Sequence, residues 1–429
     1  MSSIKTKSTI FIIFIIVAWV GMNTKWRANA WERIIAADGR GYYSYLPAIF
    51  IYHDLNFNFF NSVECKVLSY KDQYNYLTYN SGAIINKYYC GVAVLESPFF
   101  LMGHAASYLF DKPMNGYSKL YFKFIHIGGW IYFAFGLWFL SQFLASYGFK
   151  ETLICLVLLI TVFGTNLFYY SVHESGLSHV FSFFLFSVFI YFTRIFFSKK
   201  PKWLVVFIPA LLGLIILVRP ANGLVLLAIP FIAGSKSVFL NGFRFLLSNY
   251  KRLIVGILIA AFIVSIQLIM YKIASGKFFL YSYGNETFVF SKFNLINFLF
   301  SYKKGLFLYT PVYLFMLFGF ISLWKKSRFQ FYTGLSFIIL VFYVLSSWWN
   351  WWYGGSFSSR VMVEYLPFFA FLLTSALANI KPKSIKIAYI SILIIFSYFC
   401  QIQTYQYYKG TIHWDSMTKE KYWDVFMKT

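Results

Sequence analysis

The chain reads as an all-α, polytopic transmembrane helical bundle of about eleven spans, and three observations lead there. Of its 429 residues, 59% are hydrophobic, 24% aromatic and only 12% charged. A soluble domain has no interior large enough for that much apolar surface, so the bilayer must solvate most of it. Long apolar runs recur near 9–22, 121–144, 152–170, 179–197, 203–218, 221–234, 253–272, 305–324, 329–347, 361–380 and 386–403. Basic clusters free of Asp and Glu separate alternate runs, as cytoplasmic loops do.

Those clusters are Lys5 and Lys7; Arg194, Lys199, Lys200 and Lys202; Lys236, Arg244, Lys251 and Arg252; Lys325, Lys326 and Arg328; and Lys381, Lys383 and Lys386. Placing them in the cytoplasm puts the N-terminus inside and a short tail, 404–429, outside. Every acidic residue except Glu151 then falls on the outer side. The formal charge of +24 therefore orients the protein in a bilayer, and no nucleic-acid partner is expected.

The first run is expected to remain as a span. A signal peptide cut at Ala28-Asn29-Ala30 would need a shorter, less bulky approach than one holding Lys25, Trp26 and Arg27. The 221–234 run is short for a crossing. Gly91 to Phe110 is apolar enough to tempt a span, but it holds Glu96, Pro98 and His104, and a crossing there would invert every later basic cluster. It is expected as a juxtamembrane or re-entrant helix inside a first extracytoplasmic loop, 23–120. The whole chain, 1–429, is expected as one domain without internal repeats. Cys65 and Cys90 share that outer loop and are candidates for pairing in an oxidising compartment, whereas Cys155 and Cys400 sit in apolar segments. No C-x-x-C occurs, which removes zinc-ribbon and thioredoxin-like readings.

The unusual polar residues gather on the outer side. Asp38 and Arg40 follow the first span in Asp38-Gly39-Arg40-Gly41-Tyr42-Tyr43-Ser44-Tyr45-Leu46-Pro47. Glu96 and His104 lie on the juxtamembrane helix, and His173, Glu174 and His179 in the second outer loop. Arg219 ends the fifth span, Lys303 and Lys304 begin the eighth, and Arg360 with Glu364 opens the tenth. Transfer at a lipid phosphate needs a base or metal-binding carboxylate, cations for the departing phosphate, and an apolar groove for the tail. Asp38 suits proton abstraction or a divalent ion. Arg219, Arg360 and Lys303 suit phosphate oxygens, arginine by its planar fork. Tyr42 and Tyr43 offer hydroxyls and ring faces to a sugar. Blander readings stand beside these. Outer charges often only reach the headgroup zone, and Trp348, Trp349, Trp351 and Trp352 suit an interfacial belt. The His173-Glu174…His179 spacing is not that of an H-E-x-x-H metal helix.

The order of these motifs resembles the GT-C class of integral-membrane glycosyltransferases. It comprises the Asp38–Pro47 run, Gly91 through Pro98-Phe99-Phe100, Asn166 to His179, Leu217-Val218-Arg219-Pro220, Lys304 through Pro311, and Trp351 through Phe357 to Arg360. The nearest types are the dolichyl-phosphate-mannose protein mannosyltransferases and bacterial relatives that use polyprenyl-phosphate sugars. The resemblance implies a GT-C-like bundle in a bacterial plasma membrane, with its active site on the extracytoplasmic face. It implies a polyprenyl-phosphate-linked sugar donor and a glycan, lipid or protein acceptor. Asp38 takes the place of the first-loop acid, as base or as part of a divalent-metal site. Glu174 stands as counterpart of a second-loop acid, with His173 and His179 nearby. Arg219 and Arg360 fit donor-phosphate contacts, with Arg40, Tyr42, Tyr43, Lys303, Lys304 and Glu364 around them. This chain departs from the class in having Gly39 where a second acid often follows, and a short tail where a soluble domain is common. Two competing functions share this architecture: an oligosaccharide polymerase or ligase using a polyprenyl-diphosphate carrier, and a lipid-linked-sugar transporter. The transporter requires a polar path across the bundle, which the one-sided polar residues do not supply.

Overall fold

Each of the eleven apolar runs coincides with helix in the computed structural model, which describes residues 4–68, 76–80 and 82–428. Among the described residues, six helices are long and apolar enough to cross a bilayer: Ile4–Lys25, Lys119–Ala145, Ser178–Lys199, Tyr250–Ser275, Arg328–Ser346 and Lys383–Lys409. The pair Glu151–Phe163 and Leu167–His173, bent by 65° at its break, has the composition of a seventh, as a broken span or a re-entrant loop. The other runs are shorter or interrupted, so eleven full-length spans are not what forms. Proline is one cause, since it cannot donate to the preceding turn. Pro311 starts a new helix inside the 305–324 run, and Pro220 opens a 3-10 segment directly after Leu204–Val218.

That segment, Pro220–Ala228, is unusually long for 3-10 geometry and continues into the α-helix Ile229–Ala233. The 3-10 helix rises about 2.0 Å per residue against about 1.5 Å for the α-helix. The tighter winding thus stretches a run too short to span into one that covers most of the hydrocarbon thickness.

Contacts between helix ends sort the two sides. The backbone N–H and hydroxyl of Thr6 donate to Glu151 Oε1 at 2.9 and 3.1 Å. Arg194 donates to the carbonyl of Ala233 at 3.4 Å, and Ser327 to that of Gly234 at 2.8 Å. The basic clusters therefore share one end of the bundle with Glu151, as the loop charges predict. The acids discussed below lie at the opposite end.

Gly91–Leu109 forms one continuous helix that accommodates Pro98, and it is not among the long apolar crossings. It packs against Lys119–Ala145, the end of Leu204–Val218 and the short helix Asp38–Tyr43. Gly91 makes this possible, because a Cβ there would lie 2.4 Å from the backbone of Leu217 and Val218. The first outer loop also holds an antiparallel hairpin, Leu77–Asn80 with Ala83–Asn86. Asn86 donates from it to the carbonyl of Gly41 at 2.6 Å. All four cysteines are free thiols, so the expected Cys65–Cys90 pair does not form. Cys90 is buried, with its N–H on Gln267 Oε1 at 2.7 Å, while Cys65 stays partly exposed.

Gly91→Val is expected to force the outer helix off Leu217 and Val218. Overpacking of this kind costs about 1–3 kcal/mol, which a lowered melting temperature of the detergent-solubilised protein would register.

Candidate functional site

The Asp38 run folds into a short helix, Asp38–Tyr43, entered through Ala37 at φ 47° and ψ −126°. A non-glycine residue in that region is strained, and such strain concentrates at functional sites. Helical winding then sorts the side chains by face. Tyr42, four residues on from Asp38, shares its face, whereas Arg40 points to the opposite side. Asp38 Oδ2 pairs with Arg360 at 2.7 Å, and Oδ1 accepts from the Tyr88 hydroxyl at 2.7 Å. Gly41 permits the second bond, since a Cβ there would strike the Tyr88 ring at 2.2 Å. Tyr42 packs on Tyr88 with ring centroids 4.8 Å apart, within electrostatic reach of Arg219, Asp38 and Arg360.

Two sequence candidates leave the site by the same winding. Arg40 is buried on the far face, where its charge acts on Glu64. Tyr43 gives its hydroxyl to the carbonyl of Gly116 and packs among Phe100, Tyr117 and Phe122. Both support the loop rather than the cavity.

Arg360 arrives on a 3-10 turn, Arg360–Met362, that the bent helix pair holds in place. Asn166 donates to the carbonyl of Ser359 at 3.1 Å, and the N–H of Phe357 donates to the Tyr170 hydroxyl at 2.9 Å. Tyr353 and Ser358, both at φ 57°, add strain to this loop. Arg219 leaves its helix in extended conformation and donates to Glu364 Oε1 at 2.8 Å. His179 Nδ1 lies 3.1 Å from the same oxygen and 3.4 Å from the Arg219 guanidinium. Glu364 is only 1% exposed while Arg219 is 21% exposed, so this arginine keeps one side toward the cavity. Burial by itself raises an acid, but at Asp38 it is outweighed. The Arg360 guanidinium, the Tyr88 hydrogen bond, Lys87 and Arg219 together hold the carboxyl below its usual range.

Glu174 sits at the end of Leu167–His173, half-buried, with Oε1 accepting from the Tyr169 hydroxyl at 2.9 Å. Burial pushes its carboxyl up, against the pull of Lys25, the Tyr169 bond and Arg360. Lys304 is buried and donates to the carbonyl of Trp414 at 2.6 Å, which fastens the tail over this side. Burial brings its amine down to about 7, partly offset by Asp415 and Glu174. Lys303 turns the other way and lies over the Trp352 ring at 3.4 Å, so it does not join the cluster. His173 stacks on Tyr408 and also departs from it. On the juxtamembrane helix, Glu96 is 1% exposed with neither oxygen hydrogen-bonded, and His104 meets the Tyr121 hydroxyl.

The expected divalent ion does not fit these donors. Among the described residues, no three of His, Cys, Asp and Glu come together as a metal-holding group. Both oxygens of Asp38 are already engaged, one by a cation. An apolar groove of about 300 Å³ lies between the 220–233 segment and Arg328–Ser346, lined by Leu227, Pro230, Tyr332, Thr333, Ser336, Phe337 and Leu340. Its lining lies toward the Gly234 and Arg328 ends of those two elements, and Phe337 touches Tyr365, the neighbour of Glu364. No motif marked Tyr88, Tyr283 or Tyr353 as neighbours of the charges. Lys25, a cation at the end of the first apolar helix that acts on Glu174, had a readable signal in its position there.

No family model matches the chain, and no curated protein sequence matches it. Among solved structures, it is similar to the archaeal oligosaccharyltransferase AglB from Archaeoglobus fulgidus in complex with an inhibitory peptide and a dolichol-phosphate. The TM-score is 0.51 at 11% identity, over 99% of this chain and 58% of that one. The apo form of the Archaeoglobus fulgidus oligosaccharyltransferase gives 0.50 at 10% identity, over 97% and 57%. This chain thus spans a little over half the length of the proteins it resembles. The likeness is one of fold, and it agrees with the GT-C resemblance of the motifs.

Arg360→Met is expected to leave Asp38 charged without its main partner. A lost hydrogen bond to a charged group costs about 2 kcal/mol, measurable as a lower melting temperature at pH 7. Because the folded carboxyl is depressed, the pair stabilises above the ordinary Asp value of 3.8 and loses its effect as pH falls below it. The difference from wild type should shrink in that acid range.

Proposed function

We propose that this chain, a multi-pass membrane protein with the GT-C fold, is a glycosyltransferase that moves a sugar from a polyprenyl-phosphate donor to an acceptor hydroxyl. The chemistry takes place at the extracytoplasmic face of a bacterial plasma membrane, with the N-terminus in the cytoplasm. The observation that carries this reading is that the Asp38–Arg360 and Arg219–Glu364 pairs lie within electrostatic reach of one another at one end of the bundle. Two arginines supply the donors a phosphate needs, in a site where low dielectric strengthens each contact. The groove beside Arg328–Ser346, further along the bundle, accepts part of the tail. Tyr42, Tyr283 and Tyr353 surround the arginines and offer ring faces and hydroxyls to the sugar.

A polyprenyl phosphate is already a good leaving group, so the protein has to align the acceptor, take one proton and neutralise the departing phosphate. A carboxylate of the cluster takes the proton while Arg219 and Arg360 meet the growing negative charge. No step is assigned to a metal. The AglB complex holds a dolichol-phosphate and a peptide, which supports a lipid-phosphate donor and adds weight to a protein acceptor beside glycan or lipid ones. Transfer of a whole oligosaccharide is the second reading, favoured by the oligosaccharyltransferase identity of both fold neighbours. The mass added to the acceptor separates one sugar from many.

In nanodiscs supplied with polyprenyl-phosphate sugars, Asp38→Asn and Arg219→Ala are each expected to lower transfer by about 100-fold or more. Product formation and melting temperature would be followed together. Wild-type turnover by a stably folded Asp38→Asn protein would remove Asp38 from the chemistry.

A further inference from the structure

Resting on the glycosyltransferase reading, the choice of proton acceptor falls between Asp38 and Glu174, and their surroundings differ. We propose that Glu174 takes the proton from the acceptor hydroxyl, and that Asp38 is a positioning residue that holds Arg360 for the phosphate. Both Asp38 oxygens are already engaged, Oδ2 by the Arg360 guanidinium and Oδ1 by the Tyr88 hydroxyl, each at 2.7 Å, which weakens the carboxylate as a base. Glu174 is arranged the other way. Its Oε1 is fixed by Tyr169 at 2.9 Å, and Oε2 has no hydrogen-bond partner among the described residues. The side chain is half-buried, so that second oxygen is within reach of a bound hydroxyl.

Position supports the assignment. The second outer loop meets the Asp38 helix directly, since a Cβ on Gly39 would lie 3.4 Å from the carbonyl of Gly176. The N–H of Leu177 donates to the Glu174 carbonyl at 3.0 Å and closes a turn that presents the side chain. Glu174 lies within electrostatic reach of Arg360 and Asp38, and also of Lys25 and Lys304. Burial makes its carboxyl more basic than a surface glutamate, while Lys25, the Tyr169 hydrogen bond and Arg360 pull against that shift.

The step balances without a co-reactant. The acceptor O–H bond breaks, and its electron pair forms the new bond to the anomeric carbon. The bond from that carbon to the phosphate oxygen breaks, and its pair leaves with the polyprenyl phosphate, met by Arg360 and Arg219. The proton ends on Glu174 Oε2 and passes to water. Asp38 stays ionised throughout.

Glu174→Ala and Asp38→Ala, in nanodiscs with a polyprenyl-phosphate sugar, separate the two roles. Both should lose about 100-fold or more in turnover. Added formate, a small diffusible carboxylate, should restore Glu174→Ala by about tenfold or more and leave Asp38→Ala unchanged. Wild-type turnover should fall as pH drops through a value above the ordinary glutamate pKa of 4.5. Rescue of Asp38→Ala alone, or wild-type turnover by the isosteric Glu174→Gln, overturns the assignment; the second arm also decides if the alanine variant does not fold. Absence of transfer by the wild-type chain from any such donor would instead sink the broader reading on which this rests.

Discussion

Charge brought into the outer end of a membrane bundle has to be matched there, and the architecture of this protein follows from that constraint. An ion removed from water in a low-dielectric site costs several kcal/mol, recovered only where partners are close and well aligned. The Asp38–Arg360 pair and the Arg219–Glu364–His179 group meet this condition. Each joins segments far apart in sequence. Asp38 belongs to the first outer loop, Arg360 to the loop before Leu366–Asn379, and Arg219 to the end of Leu204–Val218. Loss of one partner therefore affects the relative placement of whole loops as well as a single contact.

The packing around the pairs serves the same end. Glycines allow the close approaches: Gly41 admits the Tyr88 ring, and Gly91 lets the outer helix rest on the backbone next to Arg219. The bent helix pair reaches across to fix the loop that delivers Arg360. After Arg219 the chain winds as 3-10 helix into Ile229–Ala233, whose far portion lines the groove beside Arg328–Ser346.

Single residues show where sequence reasoning succeeded and where it stopped. That Asp38, Arg219, Arg360 and Glu364 lie at the end of the bundle away from the basic clusters was legible because charges segregate along the chain between apolar runs. Arg40 and Tyr43 were assigned with Asp38 by adjacency alone. Once Asp38–Tyr43 winds as helix, their directions are set by its period, and both turn into the loop interior. Lys303 and Lys304 part for a related reason, as neighbours in a chain point to different sides. Tyr88 was invisible because nothing in its surroundings marks it until Gly41 brings it beside Asp38.

By itself the sequence determined the membrane environment, the helical class, the number of apolar runs, and the side on which acids and bases fall. Those properties depend on composition and on local order along the chain, which the bilayer reads directly as hydrophobicity and charge. Which acid meets which base, which helices bend or shorten, and which carboxylate keeps a free oxygen were decided only by the tertiary structure. They depend on side chains from distant segments competing for the same partners at distances of a few ångströms, and no spacing in the sequence records that competition.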